Sequence, residues 1–148
     1  STIAREAYFL EYAQDIRKAV SLPLMVTGGF RTKVGIEDAL QSNVCQMVGI
    51  GRPLCADPYC IKKMIAGEIE TLPSFEKTLS LGPSIFSPSS PFTIIKVINA
   101  FGAMAWFYQQ IKNMANGLMP NHEQKLFNAF RADMKADKLA IKDYLDNN

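Results

Sequence analysis

Residues 24–32, LMVTGGFRT, decide how this chain is read. Four residues suited to a short strand end in two consecutive glycines, although each glycine in an ordered segment weakens it by roughly 0.5–1 kcal/mol relative to alanine. Either a sharp turn needs them, or something comes very close to the backbone there. Upstream, residues 5–20 place Phe9, Ala13, Ile16 and Val20 at helical spacing with charges between them, which predicts an amphipathic helix broken by Pro23. Downstream, residues 33–42 read as a second helix with Ile36, Ala39 and Leu40 inward, and residues 46–50 (QMVGI) as a second strand.

That second strand also ends in glycine, at Gly51, followed by Arg52 and Pro53. Proline at a first helical position is pre-set for helix geometry and loses only an amide with no intrahelical partner. Asp57 is then expected to cap a helix over 58–66, and Gly67 to close it. Short apolar strands alternating with helices predict an α/β fold of parallel βα units.

Beyond Leu72 the character changes. Eight of the ten residues in 82–91 (GPSIFSPSSP) are Gly, Pro or Ser, an irregular connector. An apolar helix is predicted over 92–114, with Ile94, Ile98, Phe101, Ala105 and Tyr108 on one side, and a mixed-charge helical tail follows. Three segments result: 1–81 with the βα units, the connector 82–91, and a helical extension 92–148. The uncharged core of the long helix, residues 97–108, is shorter than the ~18–20 residues a bilayer requires, so no membrane span is expected.

The 148 residues, 48% hydrophobic and 20% charged, suit a folded chain with one core rather than a disordered one. A net charge of +2 without a basic run gives no nucleic-acid footprint. Cys45, Cys55 and Cys60, odd in number and irregularly spaced, fit reduced thiols and a cytoplasmic setting. With no CxxC and His122 remote from the cysteines, a metal site is not expected.

Parallel βα units place ligands at the carboxyl ends of their strands, where loops converge with helix amino termini that favour anions. The two glycine corners, Gly28-Gly29 and Gly51-Arg52, sit at that end of successive strands. Neighbouring parallel strands lie ~4.8 Å apart, so two such corners could hold one phosphate, with the amides of Gly29 and Phe30 on one side and the planar Arg52 fork on the other. A tight turn is the alternative reading of each corner. A dinucleotide fingerprint fits poorly, because Leu54 stands where Gly49-Ile50-Gly51 would need a third glycine or alanine.

The motifs PLMVTGGFRT, EDALQS and MVGIGRPLCADP together resemble the carboxyl-terminal βα units of the old yellow enzyme family, the FMN-dependent NADH:flavin oxidoreductases and ene-reductases. The resemblance is specific over residues 6–67. It implies the last two βα units of a TIM (β/α)8 barrel, with residues 24–27 as strand seven and 46–50 as strand eight. Gly28, Gly29 and Phe30 would face the flavin phosphate from one loop, and Gly51 and Arg52 from the next. It further implies FMN as cofactor, NAD(P)H as reductant and a small-molecule acceptor.

The family's substrate-anion pair, tyrosine proton donor and flavin-edge groups come from earlier strands, which these 148 residues do not contain. No catalytic residue is therefore assigned: His122 is expected to be exposed, and Tyr8 and Tyr12 to be ordinary helix residues. The stretch after residue 65 has no cysteine, so no iron–sulfur cluster is expected. Two strands cannot close a barrel, and the chain opens on Ser1, so it reads as the end of a longer oxidoreductase, inactive alone and prone to self-association through open sheet edges. The alternative is a non-catalytic module whose helix 92–114 docks to a membrane surface or a partner.

Overall fold

The computed structural model describes residues 2–147, with side chains from residue 9 onward. The side chain of Tyr8 lies outside the described residues. Two compact units divide the chain between Ser74 and Phe75.

The first unit runs α1 (Thr2–Ala19), β1 (Met25–Thr27), α2 (Lys33–Gln41), β2 (Met47–Gly49), α3 (Arg52–Ala56) and α4 (Cys60–Ile65). The strands pair in parallel, Met25 with Met47, Val26 with Val48 and Thr27 with Gly49. This is the α/β pattern expected from the sequence, since the α2 crossover returns the chain to the starting end of the sheet. The amide of Leu24 donates to Gln46 Oε1 at 2.9 Å, and Gln46 N–H donates back to the Leu24 carbonyl at 2.9 Å, which sets the register.

One face of the pair is covered. Val26 is buried with Ala13, Phe30, Ala39, Val44 and Cys45, and Leu10, Ile36 and Val48 pack against them. Met25 and Met47, on the opposite face, are each 60% exposed. Much of the predicted apolar stripe of α1 is likewise uncovered: Ala13 is buried, while Phe9, Ile16 and Val20 are exposed. Leu40, expected to point inward, is exposed too, because Ala39 takes the central position against β2.

Asp57 does not cap a single helix over 58–66. Pro58 disfavours helical backbone in the residue before it, and Asp57 is extended (φ −141°, ψ 102°), so one helix ends at Ala56 and another begins at Cys60. Asp57 instead bridges the break, its Oδ1 accepting from Tyr59 N–H at 2.9 Å and its Oδ2 pairing with Lys63 at 2.6 Å. Gly67 closes the second helix with φ +76°, and the amide of Glu68 reaches back to the Lys63 carbonyl.

The second unit holds α5 (Thr93–Ala115) and α6 (Leu126–Asp146), preceded by single 3-10 turns at Phe75–Lys77 and Ser84–Phe86. Phe75 belongs with this unit because its ring stacks on Trp106 at 5.5 Å. The connector is irregular but pinned: Asn99 accepts from Leu81 N–H and donates to the Phe86 carbonyl. On α5 the buried positions are Asn99, Gly102, Ala105, Trp106 and Gln110, whereas Ile94, Phe101 and Tyr108 of the predicted apolar side are exposed. Glycine decides this rotation. A Cβ at Gly102 would collide with the Leu126 side chain, so residue 102 is where α6 comes closest.

Candidate functional site

Because the strands are parallel and in register, Thr27 and Gly49 end side by side and the loops after them leave from the same end of the sheet. A cavity of about 490 Å³ opens there, lined by Gly28, Gly29 and Phe30 from the first loop and by Gly49, Gly51 and Arg52 from the second. The structure thus brings together all five residues singled out from the sequence.

They arrive for different reasons. Gly28 (φ +111°) and Gly29 (φ +81°) hold backbone conformations that favour glycine, so the turn itself demands them. A Cβ at Gly28 would also lie 3.1 Å from the Phe9 ring of α1. Gly51 differs: its φ is −112°, and a Cβ built there would meet no atom within 4 Å. Only open space occupies the place of that side chain. Phe30 contributes main chain alone, its ring being buried in the core at 1% exposure. Arg52, exposed at the first position of α3, carries the permanent charge.

Beyond the sheet the first loop is fixed by a strap. Leu72 N–H donates to the Arg31 carbonyl at 2.7 Å, Lys33 N–H to the Glu70 carbonyl at 3.0 Å, and Thr32 and Thr71 form an antiparallel bridge. Thr32 also caps α2, its Oγ1 accepting from Gly35 N–H at 3.1 Å. Sequence reasoning missed Arg31, a buried guanidinium on the cavity wall that donates to the Phe30 carbonyl at 2.7 Å. Its position directly after the glycine turn was the available signal.

Such a cavity, with glycine corners on two sides and an arginine at its rim, has the donors and the room for an anionic group. Similarity to known proteins agrees in kind. A stretch of 61 residues is 41% identical to the NADH-dependent flavin oxidoreductase iliE of Hypocrea jecorina (strain QM6a), covering 40% of this chain and 15% of that protein. The similarity is to proteins described as NADH-dependent flavin oxidoreductases. The bilirubin reductase of Mediterraneibacter gnavus (strain CC55_001C) is 39% identical over 61 residues, 41% of this chain and 10% of its own length. A further iliE, from Neonectria sp. (strain DH2), is 36% identical over 84 residues, 56% of this chain and 10% of its own length. The chain therefore spans a small part of these curated relatives. No family model and no solved structure matches it.

The remaining candidates fall outside the cavity. His122 is exposed, as expected, and its ring lies 4.4 Å from that of Phe75. Tyr12 is an exposed residue of α1. Burial pushes the Cys45, Cys55 and Cys60 thiols above their ordinary pKa, with Asp57 adding to the effect at Cys60. Among the described residues no helix is long and apolar enough to cross a membrane.

Proposed function

We propose that this chain supplies the flavin-phosphate site of an FMN-dependent NAD(P)H oxidoreductase of the ene-reductase kind. The observation that carries the reading is the shared cavity: two glycine loops leave the same end of adjacent parallel strands, with Arg52 at the rim. Gly51 supplies the fit, since its missing side chain leaves open the room that a phosphate would use. In that role the amides of Gly29 and Phe30 hold phosphate oxygens, and Arg52 neutralises their charge and orients the group. Bound FMN would supply the redox chemistry, accepting hydride from NAD(P)H and passing it to a small acceptor.

The same reading makes the first unit the last two βα units of a TIM (β/α)8 barrel. Its support is the one-sided sheet, with Met25 and Met47 bare on the face that would line the barrel interior. An apolar groove of about 500 Å³ runs beside β2, walled by Ile36, Leu40, Met47, Ile61 and Ile65. A further strand and helix would fill it. The acceptor-side groups then come from strands beyond these residues, and the chain alone is inactive.

Flavin fluorescence titrations test the site. Arg52→Ala is expected to weaken FMN binding about tenfold or more, the usual worth of a hydrogen bond to a charged group, and to leave riboflavin, which lacks the phosphate, unchanged. Equal losses for both flavins, or no loss for FMN, would remove the anchor.

A docking role for α5 has separate support in the exposure of Ile94, Phe101 and Tyr108.

A further inference from the structure

The cavities of the chain differ in the charge on their walls. The apolar groove beside β2 sets Lys33 against Glu37, and a cavity of about 380 Å³ in the second unit sets Lys125 against Glu123. The cavity at the glycine loops is different: among the described residues its charged wall residues are Arg31 and Arg52, with no carboxylate. Both guanidinium groups stay charged throughout the range of pH in which proteins fold. Two fixed cations around one space, with no acid between them, suit a ligand that carries two negative charges.

The two arginines sit differently. Arg52 is exposed at the rim, whereas Arg31 is 8% exposed, and a charge held away from water acts more strongly on what lies beside it. Arg31 Nη1 donates to the Phe30 carbonyl at 2.7 Å, and the Arg31 carbonyl accepts from Leu72 N–H at 2.7 Å. The two carbonyl oxygens that follow the glycine turn, each the negative end of a peptide dipole, are therefore engaged. The donors just before them are not. Among the described residues neither Gly29 N–H nor Phe30 N–H has a protein acceptor, although Phe30 is only 1% exposed. Buried main-chain amides are almost always paired, so an amide left over in the loop that walls a cavity marks where an acceptor belongs.

We propose that Arg31 is a binding residue of this site, the second cation that, with Arg52, selects a terminal phosphate monoester over a singly charged phosphodiester. The proposal rests on the flavin-phosphate reading of the cavity and gives that site its charge preference. Near neutral pH a phosphate monoester carries close to two negative charges and a diester one. Each arginine gains from the additional charge, and the gain is larger at the buried one. Through its bond to the Phe30 carbonyl, Arg31 also fixes the peptide that follows the two donor amides.

Fluorescence titration of the full chain with FMN, its methyl phosphodiester and riboflavin provides the test, with circular dichroism to establish folding. The native chain should bind FMN at least about tenfold more tightly than the methyl ester. Arg31→Gln, which keeps a hydrogen-bond donor and removes the charge, should bring that ratio below about threefold and leave riboflavin unchanged. Arg31→Lys keeps the charge without the planar fork, and should hold the ratio while weakening FMN a few-fold relative to riboflavin; should the glutamine variant not fold, this variant decides. A native ratio near one, a folded Arg31→Gln chain with the native ratio, or an Arg31→Lys chain that binds FMN as the native one does would each overturn the proposal. Equal losses of all three flavins in either variant would also overturn it, by reducing Arg31 to a fastener of the turn. A native chain that holds FMN no more tightly than riboflavin would remove the flavin-phosphate reading itself, and this proposal with it.

Discussion

Thr27 and Gly49 face each other across the parallel pair, and the Thr27 side chain occupies the volume that a side chain at residue 49 would need. The glycine in β2 is thus a packing requirement of the sheet at the mouth of the cavity. Gly49→Ala is expected to destabilise the first unit by about 1–3 kcal/mol, the usual range for overpacking. Urea denaturation measures it, and Gly51→Ala, with space around its Cβ, should cost less than about 1 kcal/mol.

The two loops should separate turn-making from binding. Gly28→Ala forces a side chain onto φ +111° and towards Phe9, and its expected cost is about 1–2 kcal/mol from backbone strain plus the ring contact. Repeating it in Phe9→Ala should recover the contact part alone, and full recovery would show that the backbone is not strained. If the cavity holds the flavin phosphate as proposed, Gly51→Ala should instead appear in FMN affinity at nearly native stability.

Trp106 and Gln110 are the buried anchors of the second unit. Gln110 donates to the Trp106 carbonyl and to Gln124 Oε1, and its own Oε1 accepts from Asn121 N–H at 2.6 Å. Trp106→Ala should cost about 3–5 kcal/mol and Gln110→Leu about 1–3 kcal/mol, the latter by stranding the Asn121 amide. Thermal denaturation orders the two, and faster hydrogen exchange at Asn121 would identify the lost bond.

The thiols give a pH dependence. Their folded-state pKa is raised by burial, so the folded chain keeps protons that the unfolded chain releases. Stability from this source is complete below the ordinary thiol pKa of about 8.5 and is lost as pH rises through the higher folded values. Lys63, raised chiefly by its hydrogen bond to Asp57, acts in the same direction above about 10.4. Denaturation midpoints should fall on the alkaline side. Near neutral pH iodoacetamide should label half-buried Cys55 first, and Cys45 and Cys60 only on unfolding; rapid labelling of Cys45 would contradict its burial.

Local signals carried the order of elements, since the helix over 5–20, the crossover over 33–42 and the strand-then-glycine corners follow from periodicity, proline and glycine within a few residues of one another. The candidate cavity was legible for the same reason, because parallel strands joined by one crossover must present their following loops at the same end. Arg31 escaped notice because its burial depends on the strap from residues 70–72, distant in sequence. The face of α5 was misjudged because apolar spacing reports which residues share a side, and not which side is covered.

By itself, then, the sequence determined the α/β alternation, the pair of glycine turns and their similarity to stretches of flavin oxidoreductases. Tertiary structure alone decided that Gly28 and Gly29 serve the turn while Gly51 leaves space. It also decided that small and polar residues, Gly102 and Gln110 among them, form the packed side of α5. Close packing rewards the shape of the facing surface, and α6 meets α5 where glycine leaves a hollow for Leu126, leaving the most apolar stripe in water.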